Sequence, residues 1–446
     1  MTGTSPDGSI PASSIEKMKR RYSRRDVLSI AAAAVSGVTM GPGRAAAQRE
    51  SPPMTYRPRQ RPPVSGRMLS NPLPEGLQRY RDNAEAAVAT PFKGITTDGT
   101  PVPGLFAIQA TGVSIQPIVT AAVALLDSLG PEQAGRARFP LGTDAWRRWS
   151  NIHPFVMRHG VPLDAMTSAQ RERALALVQV TLSEAGYRLA RDVMRLNQVI
   201  AEITNRPDEY GEWLYWLSVM GTPSGTEPWG WQIDGHHLIV NCLVLGDQLV
   251  LTPMFMGSEP VIALSGPYAG TRVFEAEEQQ GLAVLHSLNP GQRARAIVSA
   301  DLPGEVLTAA FRDNVELKPE GIRWGELSAG QQSLLRRLLD TYLGRIRPGH
   351  ARVRSEEVAR HLDETRFAWI GGVADDSVFY YRIHSPVVLI EFDHQRGVAL
   401  DNDQPSRQHI HTVIRTPNGN DYGKDLLRQH HAQFDHQPGR QQHVRR

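Results

Sequence analysis

Helical and strand patterns occupy separate regions of this chain, and this separation limits the folds that it can adopt. Capping-box sequences begin helical segments at Thr167, Asn289 and Ser328, each followed three residues later by a Gln. The first of them begins a pattern of apolar residues at helical spacing that runs to about Thr204. Because helices and strands do not alternate regularly, the patterns favour an α+β fold over a doubly wound α/β fold.

Strand patterns lie in two regions, residues 237–253 and 367–415. In the first region, Gly246-Asp247 separates two apolar runs, as in a short β-hairpin. In the second, polar breaks separate several short runs, which is typical of an antiparallel meander. Since an isolated two-stranded hairpin is marginally stable, we expect both regions to form one mostly antiparallel sheet, with the helical N-terminal half packed on it.

The N-terminus is typical of a secretory signal. Ser23-Arg24-Arg25-Asp26-Val27-Leu28 precedes a weakly apolar, Ala-rich stretch, and Ala45-Ala46-Ala47 offers a cleavage site with small residues. The apolar stretch is shorter than the roughly 20 residues of a membrane helix, and the paired arginines indicate the twin-arginine route. We therefore predict that residues 1–47 form a signal peptide read by the twin-arginine translocation machinery. The mature protein would then be periplasmic or secreted, without a membrane span.

Composition divides the rest of the chain into a linker, a domain and a tail. Residues 48–75 are rich in Pro, Arg and Ser and lack periodicity, which predicts a disordered linker. Residues 76–436 predict a single large domain, and residues 437–446 a flexible basic tail. The segment 1–47 carries seven Lys or Arg and three Asp or Glu, so its removal lowers the formal net charge from +3 to about −1. That charge gives no support for a nucleic-acid partner.

The single cysteine, Cys242, cannot form a disulfide within the chain, so stability must come from the apolar core. Cys242 lies in the apolar run 238–245, which favours buried packing over a role as a nucleophile. The chain also lacks a phosphate-binding loop, a Gly-x-Ser-x-Gly turn and a dinucleotide-binding fingerprint. The common hydrolase and dehydrogenase classes therefore lose their best sequence support.

Aromatic and titratable side chains are concentrated in residues 227–238, next to a predicted hairpin turn. The segment contains Trp229, Trp231, Asp234 and the adjacent pair His236-His237. Buried indole and imidazole groups need polar partners, so the segment is a candidate site in which the two Trp bind a substrate. Neighbouring residues of a strand point to opposite faces, so at most one of the two His is expected to join the site.

Two further histidines, His409 and His411, are spaced so that a strand places both on one face. Imidazoles in that arrangement can bind one metal ion. Glu391 and Asp393 likewise share one face of an apolar strand, where an ionised carboxylate is costly unless it is paired, coordinated or protonated.

These residues predict a zinc, iron or copper site. Its proposed ligands are His409, His411, Glu391 and one of His236 and His237. An alternative stays open, in which Glu391 forms a buried ion pair with Arg382 or Arg415. The histidines would then serve only a structural or substrate-binding role.

Other polar residues complete the expected site. Glu391 or Asp234 would act as ligand or general base, and Arg382 is a further candidate for catalysis. The polar loop after the His409–His411 strand adds candidate substrate-binding residues: Arg415, Asn420, Asp421 and Lys424. The histidines near the C-terminus are expected to be solvated and are poor ligand candidates: His430, His431, His436 and His443.

Three segments of the chain resemble the domain of unknown function 3500 family. They are Trp229-Gly-Trp-Gln-Ile-Asp-Gly-His-His237, Phe379-Tyr-Tyr-Arg-Ile-His384, and His409-Ile-His411 followed by Asn420-Asp-Tyr-Gly-Lys-Asp-Leu-Leu427. The resemblance extends from about Thr90 to His436. It implies the extent of the domain but no activity, so the ligand assignments depend on the residues themselves.

Two classes of function are open. The first is an exported metal-dependent enzyme, a hydrolase or an oxidoreductase, in which the metal activates water or oxygen. The second is a periplasmic small-molecule binding or assembly protein, in which the Trp cluster stacks on a ligand and the histidines only hydrogen-bond to it.

Overall fold

The computed structural model describes residues 55–433. The predicted signal peptide (1–47), residues 48–54 of the predicted linker and the predicted tail (437–446) lie outside the described residues. The described helices are α1 Glu75–Ala89, α2 Gln116–Ser128, α3 Pro131–Ala137, α4 Ser168–Thr181, α5 Glu184–Thr204, α6 Glu275–Ser287, α7 Pro290–Ala296, α8 Ala329–Leu343, α9 Pro348–Ala359 and α10 Lys424–Gln433. None of these helices is long and apolar enough to cross a bilayer.

Within residues 55–433, thirteen strands belong to one sheet. They are β1 Arg138–Phe139, β2 Val161–Pro162, β3 Tyr215–Met220, β4 Trp229–Gly235, β5 Leu238–Leu245, β6 Gln248–Val250, β7 Met254–Ser258, β8 Ile297–Ser299, β9 Ile322–Arg323, β10 Arg366–Gly371, β11 Phe379–His384, β12 Leu389–Arg396 and β13 Pro405–Arg415. The strand order is β1-β3-β4-β5-β7-β13-β12-β11-β10-β8, while β2, β6 and β9 pair with β3, β5 and β10.

The two predicted strand regions do share one sheet, and the α+β class is confirmed. The sheet is wider than predicted, because β3 and β4 extend it beyond β5. The pairing is antiparallel except at two short strands, β1 on β3 and β8 on β10. The capping boxes also form: the side chains of Thr167, Asn289 and Ser328 accept from the backbone N–H of the Gln three residues later.

The sheet has two chemically different faces. On one face Trp231, Cys242 and Ile390 point into the main apolar core, together with apolar residues of α2, α4, α5, α6 and α8. The register of β12 and β13 places Asp393 opposite His411 on the other face. Glu391 lies opposite Val413 on that same face, so buried polar groups are concentrated there. We call this side the polar face.

The element order is repeated within the chain. Strands β3, β4, β5 and β7 pair in the same sequence as β10, β11, β12 and β13, and β7 lies beside β13. Each half also has a short parallel strand and a short antiparallel strand at its outer edge. The strand order is therefore the same when it is followed outward from the centre in either direction, as after an internal duplication.

The helices repeat in the same way. Leu126-x-Ser-Leu-x-Pro-x-Gln133 recurs as Leu285-x-Ser-Leu-x-Pro-x-Gln292. Gln133 and Gln170 exchange hydrogen bonds between their side-chain amides, and Gln292 and Gln331 do the same. The two halves thus share local contacts as well as topology.

The described part of the predicted linker is held against the domain, which corrects that expectation. Residues 58–66, called the N-terminal strap below, make several hydrogen bonds. The backbone N–H of Arg59 donates to the Ala399 carbonyl (2.7 Å), and that of Val64 donates to Glu209 Oε1 (2.8 Å). Arg61 Nη2 donates to the hydroxyl of Tyr210 (2.8 Å). Composition could not reveal this, because polar and backbone contacts, not a periodic apolar stripe, hold the segment.

Candidate metal centre

Three histidines from distant parts of the chain meet on the polar face. The Nε2 atoms of His409 and His411 are 3.0 Å apart, those of His411 and His237 3.0 Å, and those of His409 and His237 3.2 Å. All three side chains are buried. Among residues 55–433 they are the one group of three or more His, Cys, Asp or Glu side chains whose geometry could hold a metal ion.

Local backbone geometry brings these rings together. His409 and His411 alternate along β13 and so share a face, as predicted. His237 lies in the two-residue turn between β4 and β5 with φ of 62°, in the left-handed region. Gly257 of β7 lies beside both elements, and a Cβ there would be 2.9 Å from Cδ2 of His411 and 3.3 Å from Cδ2 of His237. A glycine at this position therefore lets the two rings approach.

His236 does not join the three rings, in keeping with the expectation that at most one of the adjacent pair would. Its Nδ1 is 2.8 Å from Oδ1 of Asn197. Its ring stacks on His237, with 3.8 Å between the ring centres. His236 therefore supports His237 from one side, and its assignment as a metal ligand is wrong.

The Nδ1 atoms of two of the three histidines have acceptors. Nδ1 of His409 is 2.7 Å from the carbonyl oxygen of Arg396, and Nδ1 of His411 is 2.7 Å from Oε1 of Glu305. A carbonyl can only accept, so His409 must carry its proton on Nδ1; an ionised Glu305 requires the same of His411. In the neutral forms of His409 and His411, the Nε2 lone pairs then point towards each other and towards Nε2 of His237.

Burial lowers the pKa of His237 well below its ordinary value, and the neighbouring His236 and His411 lower it further. Burial also lowers the pKa of His409, although Glu259 opposes that effect. These two imidazoles are therefore neutral at physiological pH. The neutral ring is the form that binds metals.

Glu305 was not among the predicted site residues. It lies in an irregular loop before Val306, far from His411 in sequence, and no periodic pattern marks it. Burial alone would raise the pKa of Glu305, but the charge and hydrogen bond of His411 hold it below its ordinary value. A Gly-Glu pair in a polar loop is its only sequence signal, which is too common to identify a site.

Glu391, the predicted carboxylate ligand, has a different role. Its oxygens accept hydrogen bonds from the backbone N–H groups of Leu307 (2.6 Å) and Thr308 (2.9 Å) and from the hydroxyls of Thr308 and Tyr380. The carboxylate is thus satisfied by donors without a metal. It anchors the loop that carries Glu305.

The two ion pairs offered as an alternative for Glu391 are not formed either. Arg382 lies opposite Glu391 in the sheet, but its Nη2 donates to Glu320 Oε2 (3.0 Å). Arg415 pairs with Asp313 (2.8 Å) and Asp421 (2.9 Å). The predicted catalytic role of Arg382 therefore lacks support from its position.

Asp234, the second predicted catalytic carboxylate, also holds a loop. Its Oδ1 accepts from the backbone N–H of Ser150 (3.1 Å) and from Arg158 Nη1 (3.1 Å). The adjacent Asn151 carbonyl accepts from the backbone N–H of His237 (3.2 Å). Asp234 therefore helps to fix the turn that carries His237, without contacting the three Nε2 atoms.

Trp229 and Trp231 lie in the apolar core on the opposite face of the sheet. Both side chains have 0% exposure. Alternation along β4 explains this, because residues 229 and 231 point away from the face that carries residues 232 and 234. They cannot stack on a ligand beside the histidines, so their assignment as substrate-binding residues is wrong.

The C-terminal loop forms a buried charge network instead of a substrate site. The Tyr422 hydroxyl donates to Oδ1 of Asp313 (3.0 Å), which also binds Arg415. Asn420 Oδ1 accepts from the backbone N–H of Leu426 (3.3 Å), and Lys424 Nζ lies 5.8 Å from the centre of the Phe92 ring. None of the predicted residues Arg415, Asn420, Asp421 and Lys424 lines the pocket at the three histidines. His430, expected to be solvated, is buried.

A pocket of about 280 Å³ opens onto the three histidines. Its other walls come from α1, from the loop at residues 151–154, and from residues 395–398 at the end of β12. The N-terminal strap joins two of these walls, since Arg59 donates to the Gly397 carbonyl (3.3 Å) and Arg61 Nη2 lies 3.0 Å from His153 Nε2. The lining residues outside the three histidines include Leu77, Asn151, His153, His236, Glu305 and Arg396.

One protein-family model matches residues 111–424, a range that contains the three histidines, Glu305 and Glu391. No curated protein and no solved structure is significantly similar to the chain. Because the match covers more than half of the sequence, the chain belongs to the family described as Protein of unknown function (DUF3500).

Proposed function

We propose that the protein is an exported metal-dependent enzyme whose metal is bound by His237, His409 and His411. The observation that carries this proposal is the convergence of three buried Nε2 atoms within 3.0–3.2 Å of one another. Lone pairs at that distance repel unless a proton or a cation lies between them. A single transition-metal ion satisfies all three at once.

The spacing of the nitrogens suits such an ion. An ion roughly 2.1 Å from each Nε2 would make N–metal–N angles of roughly 90–100°. Three ligands in that arrangement occupy one side of the coordination sphere. The other side would face the pocket, leaving positions for water and substrate, as in a catalytic site rather than a closed structural one.

The supporting groups match those of metal-binding histidines elsewhere. Such histidines usually donate their second ring N–H to a carboxylate or a backbone carbonyl, which fixes the ring and raises its basicity. Glu305 accepts from His411 in this way, and the Arg396 carbonyl accepts from His409. Zinc, iron and copper all suit imidazole ligands, and the reaction would be activation of water or oxygen at a small substrate.

The alternative of a binding protein without catalysis has lost its main support. It required Trp229 and Trp231 to stack on the ligand, and both lie in the core on the other face of the sheet. The pocket at the three histidines has no Trp in its lining.

Metal analysis of full-length protein without a His tag tests the proposal. After reconstitution with zinc, ferrous iron or copper and removal of loose metal, the wild type should retain about one ion per chain. His411→Ala should retain less than a tenth of that amount and should keep the circular dichroism of the wild type. The matched control is His286→Ala, which removes an imidazole that bonds the Val373 carbonyl far from the pocket.

The metal proposal is overturned if the wild type binds none of the three metals. It is also overturned if His411→Ala binds as much as the wild type. A protein that binds metal but turns over no hydrolase or oxidase substrate in a broad panel would contradict the enzymatic part alone.

Export by the twin-arginine route is a separate part of the proposal. It is supported by Arg24 and Arg25 ahead of a weakly apolar stretch. Replacing both with Lys should abolish the periplasmic form in cell fractionation, because the route depends on that pair. Normal amounts of processed protein in the periplasm would contradict it.

A further inference from the structure

A row of basic side chains crosses strands β9, β10 and β11. These strands lie towards one edge of the sheet, away from the three histidines. Arg323 of β9 lies directly opposite Arg366 of β10, and Arg366 lies directly opposite His384 of β11. Residues directly opposite in an antiparallel pair have Cβ atoms roughly 4.5–5.5 Å apart. Like charges in this position are destabilising, so the Arg323–Arg366 pair requires an explanation.

Carboxylates lie near this pair, but among the described residues none forms an ion pair with it; Glu326, for example, accepts from the backbone N–H of Arg323 (2.9 Å) and pairs with Arg295. Neither guanidinium has an ion-pair partner within residues 55–433. Arg323 Nη2 donates to the Asp363 carbonyl (3.4 Å) and Arg366 Nη1 to the Gly321 carbonyl (3.3 Å), which leaves most of their N–H groups available. The nearby Glu364 lies 3.0 Å from Nδ1 of His361 instead.

His384 adds a buried polar atom without a partner. Its side chain is only 4% exposed, and its Nδ1 makes no hydrogen bond. Burial, together with the charges of Arg382 and Arg366, lowers the pKa of His384 to about 3. The ring is therefore neutral at physiological pH and can donate one N–H to a ligand without adding a third positive charge.

Arg323, Arg366 and His384 line a cleft of about 390 Å³, together with Glu364, Ser385 and Pro386. The internal repeat gives this cleft a counterpart. The turn Pro386-Val387 between β11 and β12 corresponds to His236-His237 between β4 and β5, since each turn is closed by the pairing of its flanking residues. The cleft therefore lies at the same turn of the second half as the three-histidine pocket does in the first.

We propose that this cleft is a second ligand site, which binds a small molecule through an oxyanion group held between Arg323 and Arg366. Arginine binds phosphate and carboxylate groups through two parallel N–H···O bonds, which suits a pair of guanidinium groups facing a cleft. An anion between them removes the repulsion of the pair. The neutral ring of His384 supplies a further donor at the floor of the cleft.

Binding of inorganic phosphate and of acetate to the full-length protein tests the site, with chloride at equal ionic strength as reference. We expect one of the two to raise the melting temperature and to give a saturable calorimetric signal in the millimolar range or below. Phosphate binding would indicate a phosphate-bearing ligand, and acetate binding a carboxylate-bearing one. Arg323→Gln/Arg366→Gln should weaken that binding at least tenfold, while the control Arg79→Gln, on the exposed face of α1, should leave it unchanged.

A second measurement separates a binding role from a structural one. If the two arginines repel each other, Arg323→Gln should raise the melting temperature in buffer without oxyanions. A lower melting temperature would mean that Arg323 stabilises the fold by itself, and would overturn the proposal. Absence of any response to both anions, or unchanged binding in the double variant, would overturn it as well.

Discussion

Glu305 contacts His411 through the ring nitrogen that faces away from the other two histidines. A carboxylate in that position fixes the tautomer and orientation of a ligand ring, and losing it typically reduces metal affinity about 10–100-fold. We predict a loss of this size for Glu305→Ala and a smaller one for Glu305→Gln, because the amide oxygen can still accept. Competition with a chromophoric chelator measures both.

The exposed Glu75→Gln on α1 is the matched control and should bind metal like the wild type. Equal affinity of Glu305→Ala and the wild type would show that the contact with His411 does not support the site.

Replacing the neighbouring Glu391 is expected to reduce stability and not metal affinity. It accepts from two backbone N–H groups and two hydroxyls while fully buried. Glu391→Gln replaces one acceptor oxygen with a donor amide, which should lower the free energy of unfolding of the metal-free protein by about 3 kcal/mol. Urea denaturation without metal measures this. A variant of unchanged stability that fails to bind metal would instead restore Glu391 as a ligand.

Single residues also mark the limit of what the sequence could predict. His409 and His411 were found because strand alternation fixes which side chains share a face. The same rule separates Trp231 from Asp234, and applying it to both would have removed the Trp residues from the site. Glu305 follows no periodic pattern, so only tertiary structure brings it to His411.

At the scale of elements, β7 is a spacer between the two parts of the metal centre. Gly257 lies opposite His411 in the sheet, and a Cβ there would contact the rings of His411 and His237 and the carbonyl of Ile410. We predict that Gly257→Ala lowers metal affinity at least tenfold, because the rings must move apart. Metal titration measures the effect.

Gly246→Ala is a useful comparison, since Gly246 in the β5–β6 turn has open space around its Cβ position. Its positive φ of 58° makes some loss of stability expected, but not of metal affinity. Metal binding by Gly257→Ala at wild-type strength would contradict the spacer role of β7.

Strands could be predicted where a single sequence pattern, an apolar run ended by turn residues, was clear. The strands of 237–253 and 367–415 were found from their apolar runs and turn residues. The predicted sheet does not include strands β3 and β4, although all their residues are buried in the structure. Strand β3 is mostly apolar on both faces, so it lacks the polar–apolar alternation on which the prediction depends. Strand β4 does alternate, and its pattern could have been recognised.

At the scale of the whole molecule, the metal centre lies on a sheet that is complete without it. The backbone of His411 is held by β7 and β12, and the Nδ1 atoms of His409 and His411 have protein acceptors. We therefore predict that chelation leaves the secondary structure intact and lowers the melting temperature only by the linkage term. That term is about 4 kcal/mol when free metal is present at about 1,000 times Kd.

Calorimetry and circular dichroism before and after chelation check this prediction. Unfolding on chelation at room temperature would mean that the metal has a structural role.

The internal repeat of the whole molecule can also be seen in the sequence. Leu126-x-Ser-Leu-x-Pro-x-Gln133 and Leu285-x-Ser-Leu-x-Pro-x-Gln292 share five residues at the same spacing. Self-comparison of the chain would have found them, and would have predicted a sheet of two equivalent halves. The location of the metal centre would still have been hidden, because Val387 occupies the position in the second half that His237 has in the first.

The N-terminal strap has a practical consequence for work with members of this family. The family match begins at residue 111, whereas the pocket walls include Leu77 of α1 and depend on Arg59 and Arg61 of the strap. A recombinant protein trimmed to the matched range would keep every proposed metal ligand and still lack one wall of the pocket at the three histidines. Such a fragment could be inactive in a screen because its pocket is incomplete, even if the full-length protein is an enzyme. Expression should therefore begin at or before residue 55.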